Sequence, residues 1–176
     1  LASAVAHYLY ISTISVYASF AVANDEDSPL GTMPDESVEE VTNETYGPMK
    51  ALCESRARAE ISDDRLTILR PTYICGPGDR TDRYTYWPVR TIRGGEMLWP
   101  GTPDDPIQII DVRDLANFVV DCIEKKITGV YNTVTPVGSH TMGDLMNDSV
   151  AVTGATMTPV WVSNKFIADL EFEDAI

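Results

Sequence analysis

The chain has 176 residues, 44% of them hydrophobic and 23% charged, an ordinary globular composition that supports a real core and argues against disorder. With 27 acidic against 13 basic residues its formal charge is −14, which argues against unassisted binding to nucleic acid or to an anionic membrane and leaves a small molecule as the expected partner. Three widely spaced cysteines (Cys53, Cys75, Cys122) and two histidines (His7, His140) assemble neither a metal site nor a disulfide framework.

The opening Leu1 to Ala23 is apolar and ends in Ala21-Val22-Ala23, like a secretory leader with its small-residue cleavage site. It has no initiator Met and no basic start, and Ser3, His7, Ser12, Thr13, Ser15 and Ser19 interrupt it, so the expected location is cytoplasmic. Within it, Val5 to Ile11 has the short apolar and aromatic character of a strand buried on both faces, and it ends in Ser12-Thr13. Asn24 to Thr45 follows, acidic and punctuated by Pro and Gly, too long for an ordinary connection and therefore a lid or an ordered active-site loop. Much of the acid sits here, between Asp25 and Glu44, with more in the last six residues, and a solvated surface is its plainest reading.

From Thr45 to about Glu60 the residues favour helix, with Pro48 harmless in the first turn and Ala51, Leu52, Ser55 and Ala59 as the expected packing face. Leu66 to Leu69 reads as a second buried strand, stopped by Pro71, and Cys75 to Asp79 as a turn. A helix is expected from Tyr84 to Arg93, closed by Gly94-Gly95, then strands at Met97 to Trp99 and Ile107 to Ile110. Asp111 with Asp114 forms an acidic variant of a capping box ahead of Leu115, Phe118, Val119 and Cys122. Gly129 to Thr133 reads as a strand, Thr141 to Val152 as a helix, and Thr158 to Val162 as a strand before a terminal helix. This alternation predicts an α/β fold with a mostly parallel sheet.

One pair on the first helix carries chemistry. In Tyr46-Gly47-Pro48-Met49-Lys50 the phenol and the ammonium are one helical turn apart and share a face. A free phenol titrates near 10, too high for a useful base at neutral pH, and an adjacent cation favours its charged form.

The order and spacing of four landmarks are specific. Tyr10-Ile-Ser-Thr-Ile-Ser-Val-Tyr17, Tyr46-x-x-x-Lys50, Leu69-Arg-Pro-Thr-Tyr-Ile-Cys-Gly-Pro-Gly-Asp79 and Ile109-Ile-Asp-Val-Arg-Asp-Leu-Ala116 resemble successive motifs of the extended short-chain dehydrogenase/reductases, in the NAD-dependent epimerase/dehydratase branch. Thr81 to Trp87 and Gly94 to Gly101 also resemble bacterial reductases related to isoflavone reductase. The resemblance implies a partial Rossmann-like, doubly wound sheet containing only the later strands (residues 1–75), plus a small α/β substrate-binding region (76–176) whose further strand and helices pack back on the sheet.

It further implies NAD or NADP as cofactor and a carbonyl, alcohol or nucleotide-sugar substrate; members of the family often pair as homodimers through helices that include the one carrying Tyr46, which leaves the oligomeric state of this chain open. Tyr46 would exchange the proton, Lys50 would tune Tyr46 and hold the nicotinamide ribose, and Thr13 would hydrogen-bond the reacting oxygen. Ser12, Pro71, Thr72 and Tyr73 would line the cofactor, and Arg80 and Arg83 would meet substrate. Ile14 and Ser15 stand where the dehydratases carry Asp-Glu, which disfavours elimination of water. Epimerase chemistry with the same Tyr46, and a non-catalytic binding role on this scaffold, remain alternatives. No G-x-G-x-x-G turn occurs in the sequence, so the chain is expected to be part of a longer protein whose dinucleotide-binding half precedes it and to be inactive alone.

Overall fold

The computed structural model describes residues 3–170, so Leu1, Ala2 and the acidic last six residues lie outside the description. Two compact units are formed, one from 1–74 with 109–134 and the other from 75–108 with 135–176.

The first unit is built on a parallel sheet of order β1-β2-β6, comprising Tyr8–Ile11 (β1), Leu66–Pro71 (β2) and Gly129–Thr133 (β6). Helix α1 (Tyr46–Glu60) and helix α3 (Val112–Lys125) cover the sheet. Successive residues of β2 point to opposite faces, and the packing follows that period of two. Leu66 and Ile68 pack with Ala57 and Ile61 at the end of α1, whereas Leu69 packs with Leu115 and Cys122 of α3. Covered on both faces and paired on both edges, β2 is buried at all six positions.

β1 departs from expectation. It lies at the edge of this sheet, with Tyr8 39% and Ile11 38% exposed, because only β2 flanks it; burial on both faces holds for β2 instead. The packing face of α1 also differs: Gly47, Ala51 and Glu54 are buried, while Ser55 and Ala59 are exposed. The i, i+4, i+7 stripe follows the helical period, and a carboxylate can occupy it because it meets an arginine from β2. Tyr73–Cys75 forms a short strand (β3), unforeseen in the sequence, whose residues Tyr73 and Ile74 belong to this unit; it pairs with Ile109–Asp111 (β5).

Asp111 caps α3 through the amide of Arg113 and is also bridged by its guanidinium, so the acidic box with Asp114 is not the capping interaction. The reciprocal capping box instead opens α4 (Met142–Thr153), between Thr141 and Asp144. In that second unit, Gly95–Pro100 (β4) runs parallel to Met157–Val162 (β7), two residues longer at the start than the expected strand in β4 and one in β7. Helix α2 (Tyr86–Ile92) starts two residues later than expected, is capped by Arg93 and is followed by Gly94, whose φ of +64° suits glycine. Met97, Trp99 and Leu145 form the core, with Trp87 stacked on Trp99 at 4.5 Å. The last described helix, Asn164–Ala168 (α5), is only five residues long. Among the described residues no helix is long and apolar enough to cross a membrane.

Candidate functional site

The candidate site lies in the first unit, at the carboxyl end of β1. Here the strand gives way to a 3-10 turn at Ile14–Val16, capped by the Thr13 side chain, which accepts from the Ser15 amide and donates to the Ser15 hydroxyl, both at 3.2 Å. The first turn of α1 presses on this turn. A Cβ at Gly47 would overlap the Ser15 carbonyl oxygen and stand 3.0 Å from the carbonyl carbon, so the close approach requires glycine.

That contact places Tyr46 and Ser15 together in one cleft of about 730 Å3, within the range of small-molecule sites. One turn on, the Lys50 ammonium donates to the Ile11 carbonyl at 2.7 Å and lies 4.5 Å above the Tyr10 ring. Burial lowers the Lys50 pKa, while Cys53 and Glu54 oppose the shift. Burial, reinforced by a hydrogen bond with Cys53, raises that of Tyr10, which keeps its ring neutral beneath the cation. No direct hydrogen bond joins Tyr46, Lys50 and Thr13 among the described residues, and of the three only Tyr46 lines the cleft; Thr13 reaches it through Ser15.

The remaining expected residues are distributed as follows. Ser12 is buried, its amide donating to Leu69 at 2.6 Å and its hydroxyl without a partner. Pro71 ends β2 opposite Thr133, whose hydroxyl is likewise buried and unpartnered. Thr72 is half-buried and Tyr73 exposed. Arg80 and Arg83 belong to the second unit and are exposed; Arg83 donates to Thr81 at 2.9 Å, and Thr81 in turn bonds Asp79.

Sequence reasoning missed the group that holds this site from behind. Arg70, in β2, makes a two-pronged pair with Glu54 of α1, at 3.0 and 2.7 Å, with both side chains almost wholly buried. It also donates to the Tyr17 hydroxyl and the Glu26 carbonyl, each at 3.0 Å. Tyr17 donates to Asn132 of β6 at 2.6 Å, and the Asn132 amide donates to the Glu26 carboxylate at 2.7 Å. Burial opposes the Arg70 charge, but its hydrogen bonds to Glu54 and Tyr17 outweigh that and raise the guanidinium pKa. Two signals were present in the sequence: a charge inside an apolar strand, which burial requires to be paired, and a Glu four residues beyond Lys50.

No family model and no curated protein matches the sequence. Solved structures do. The Bordetella bronchiseptica enzyme WbmG, in complex with NAD and UDP, superposes with a TM-score of 0.68 at 20% identity, over 92% of this chain and 48% of that one. The dTDP-4-dehydrorhamnose reductase of Yersinia enterocolitica gives 0.65 at 18% identity, over 90% and 52%. The likeness is one of fold: a partial Rossmann-like α/β arrangement with a parallel sheet. A UDP-glucuronic acid 4-epimerase from Bacillus cereus, in complex with NAD, shares that fold at a TM-score of 0.61 and 19% identity, over 96% of this chain and 56% of its own. The chain spans about half the length of these structures.

Proposed function

We propose that this chain carries the proton-transfer machinery of an NAD(P)-dependent oxidoreductase acting on a carbonyl or secondary alcohol. The observation that carries the reading is the seating of α1 on the end of β1: Gly47 against Ser15, Tyr46 in the cleft, and Lys50 fixed to Ile11. In reduction Tyr46 gives its proton to the carbonyl oxygen, and in oxidation it takes one from the hydroxyl. Thr13 and Ser15 orient that oxygen, and Lys50, one helical turn beyond Tyr46 and held by the Ile11 carbonyl, supplies the cation of the pair.

The residues present fit the cofactor half of the reading. The hydroxyls of Ser12 and Thr133 are buried without partners at the carboxyl ends of β1 and β6, the edge where open α/β sheets bind ligand. Tyr46, Lys50, Ser12, Pro71, Thr72 and Tyr73 would hold the nicotinamide end. When bound, NAD or NADP supplies the two-electron redox partner of the substrate carbon.

Replacing Tyr46 with Phe removes only the proton-transfer hydroxyl. In the full-length enzyme turnover should fall by about 100-fold or more with substrate binding retained; normal turnover by full-length Tyr46→Phe would overturn the assignment. A second reading, epimerisation by the same residues, is favoured by the epimerase among the similar structures. Net consumption of NAD(P)H supports the reductase, whereas an isomeric product without net cofactor change supports the epimerase.

A further inference from the structure

The cleft beside Tyr46 carries information about what enters it. Tyr17, Phe20 and Tyr46 give it three aromatic rings, and Val41 and Pro48 add aliphatic surface. Phe20 is 62% and Val41 66% exposed, so two large apolar side chains stand uncovered at its walls. Neutral hydrogen-bonding groups come from Ser15, Thr42 and Asn43. None of its lining residues is Lys, Arg or His, and the single formal charge among them is the Glu44 carboxylate.

The surroundings reinforce that sign. The segment from Asp25 to Glu44 holds eight acidic residues and no basic one. Its neighbour Lys50 is turned to the Ile11 carbonyl and the Tyr10 ring, and Arg56 is paired with Glu36 at 2.6 Å. A phosphate or carboxylate placed in the cleft would meet the Glu44 carboxylate as a like charge, with no side-chain cation lining the cleft to receive it.

We infer that the cleft selects an uncharged, ring-bearing carbonyl or alcohol, and that any phosphate or carboxylate on the substrate must lie outside it. This deepens the oxidoreductase reading and rests on it only for the word substrate. Apolar rings cover Phe20 and Val41, the neutral groups hold the oxygen near Tyr46, and Glu44 rejects anions.

The test is a matched pair of probes titrated into the chain, acetophenone and 4-acetylbenzoate, which differ by one carboxylate. Binding is read from the NMR ring resonances of Phe20 and Tyr46, with no cofactor present. Acetophenone should shift both saturably, and 4-acetylbenzoate should bind at least ten-fold more weakly. Glu44→Gln should narrow that gap several-fold, and Phe20→Ala should weaken acetophenone several-fold. Equal or tighter binding of the carboxylate, an unchanged gap in Glu44→Gln, or no shift with either probe would overturn the inference. Because turnover does not enter, the selectivity can fail while Tyr46 chemistry stands, and the reverse.

Discussion

The Glu54–Arg70 pair makes the most direct demand on stability. Each partner is at most 2% exposed and the two are joined by hydrogen bonds of 2.7 and 3.0 Å, so Glu54→Leu leaves a guanidinium in the interior without its counter-charge. Removing one member of a buried pair costs about 3–5 kcal/mol, a large share of a total stability of about 5–15 kcal/mol. For a chain of this size that corresponds to a fall in Tm of about 6–20 °C. Arg70 keeps Tyr17 and Glu26, which places the expected loss toward the lower end. Replacing both partners, Glu54→Leu with Arg70→Met, removes the orphan charge and should recover most of the loss.

All three tryptophans lie in the second unit, so their fluorescence does not report on this region. Far-UV circular dichroism melts, with hydrogen exchange across α1 and β2, read it directly. A Glu54→Leu melt within about 3 °C of wild type, or a double variant no better than the single one, would refute the reasoning.

Three further outcomes follow from the site and its supports. Gly47→Ala forces a methyl onto the Ser15 carbonyl, and overpacking of this kind costs about 1–3 kcal/mol; unchanged urea unfolding would contradict the close approach. Lys50 has a folded-state pKa below its usual 10.5 because of burial, so between those two values the unfolded chain binds more protons and stability rises with pH. Wild type should therefore gain on Lys50→Met as pH climbs toward 10.5, and a stability difference that stays flat or falls in urea titrations would count against a desolvated amine. Asp111 is held near a pKa of about 2, against a usual 3.8, first by the Arg113 guanidinium and then by the Arg113 amide. Its contribution is complete above 3.8 and lost as pH falls toward 2, so thermal melts should show the advantage of wild type over Asp111→Asn shrinking across that window.

Local pattern sufficed for most of the elements. The runs Leu66 to Leu69 and Gly129 to Thr133 read as strands because apolar and β-branched residues cluster between turn signals, and α1 and α3 read as helices from their residue preferences and starts. The Tyr46 and Lys50 spacing needed nothing beyond the helical period. That a charged residue in β2 had to be paired was implicit in burial alone, but which carboxylate would reach it was not: Glu54 and Arg70 are sixteen residues apart, and only the packing of α1 on the sheet face carrying Ile68 and Arg70 brings them together.

The composition also fixed the negative field, whereas its expression as a cation-free cleft depended on how the acidic loop folds back beside Tyr17 and α1. β1 illustrates the boundary between the two kinds of information. Its residue types say strand, but whether a strand is flanked on one edge or two depends on neighbours distant in sequence, and that decides how far Tyr8 and Ile11 are exposed. Periodicity and residue chemistry are local and can be read along the chain; the partner of a buried charge and the walls of a cleft arise from long-range packing, which only the tertiary structure specifies.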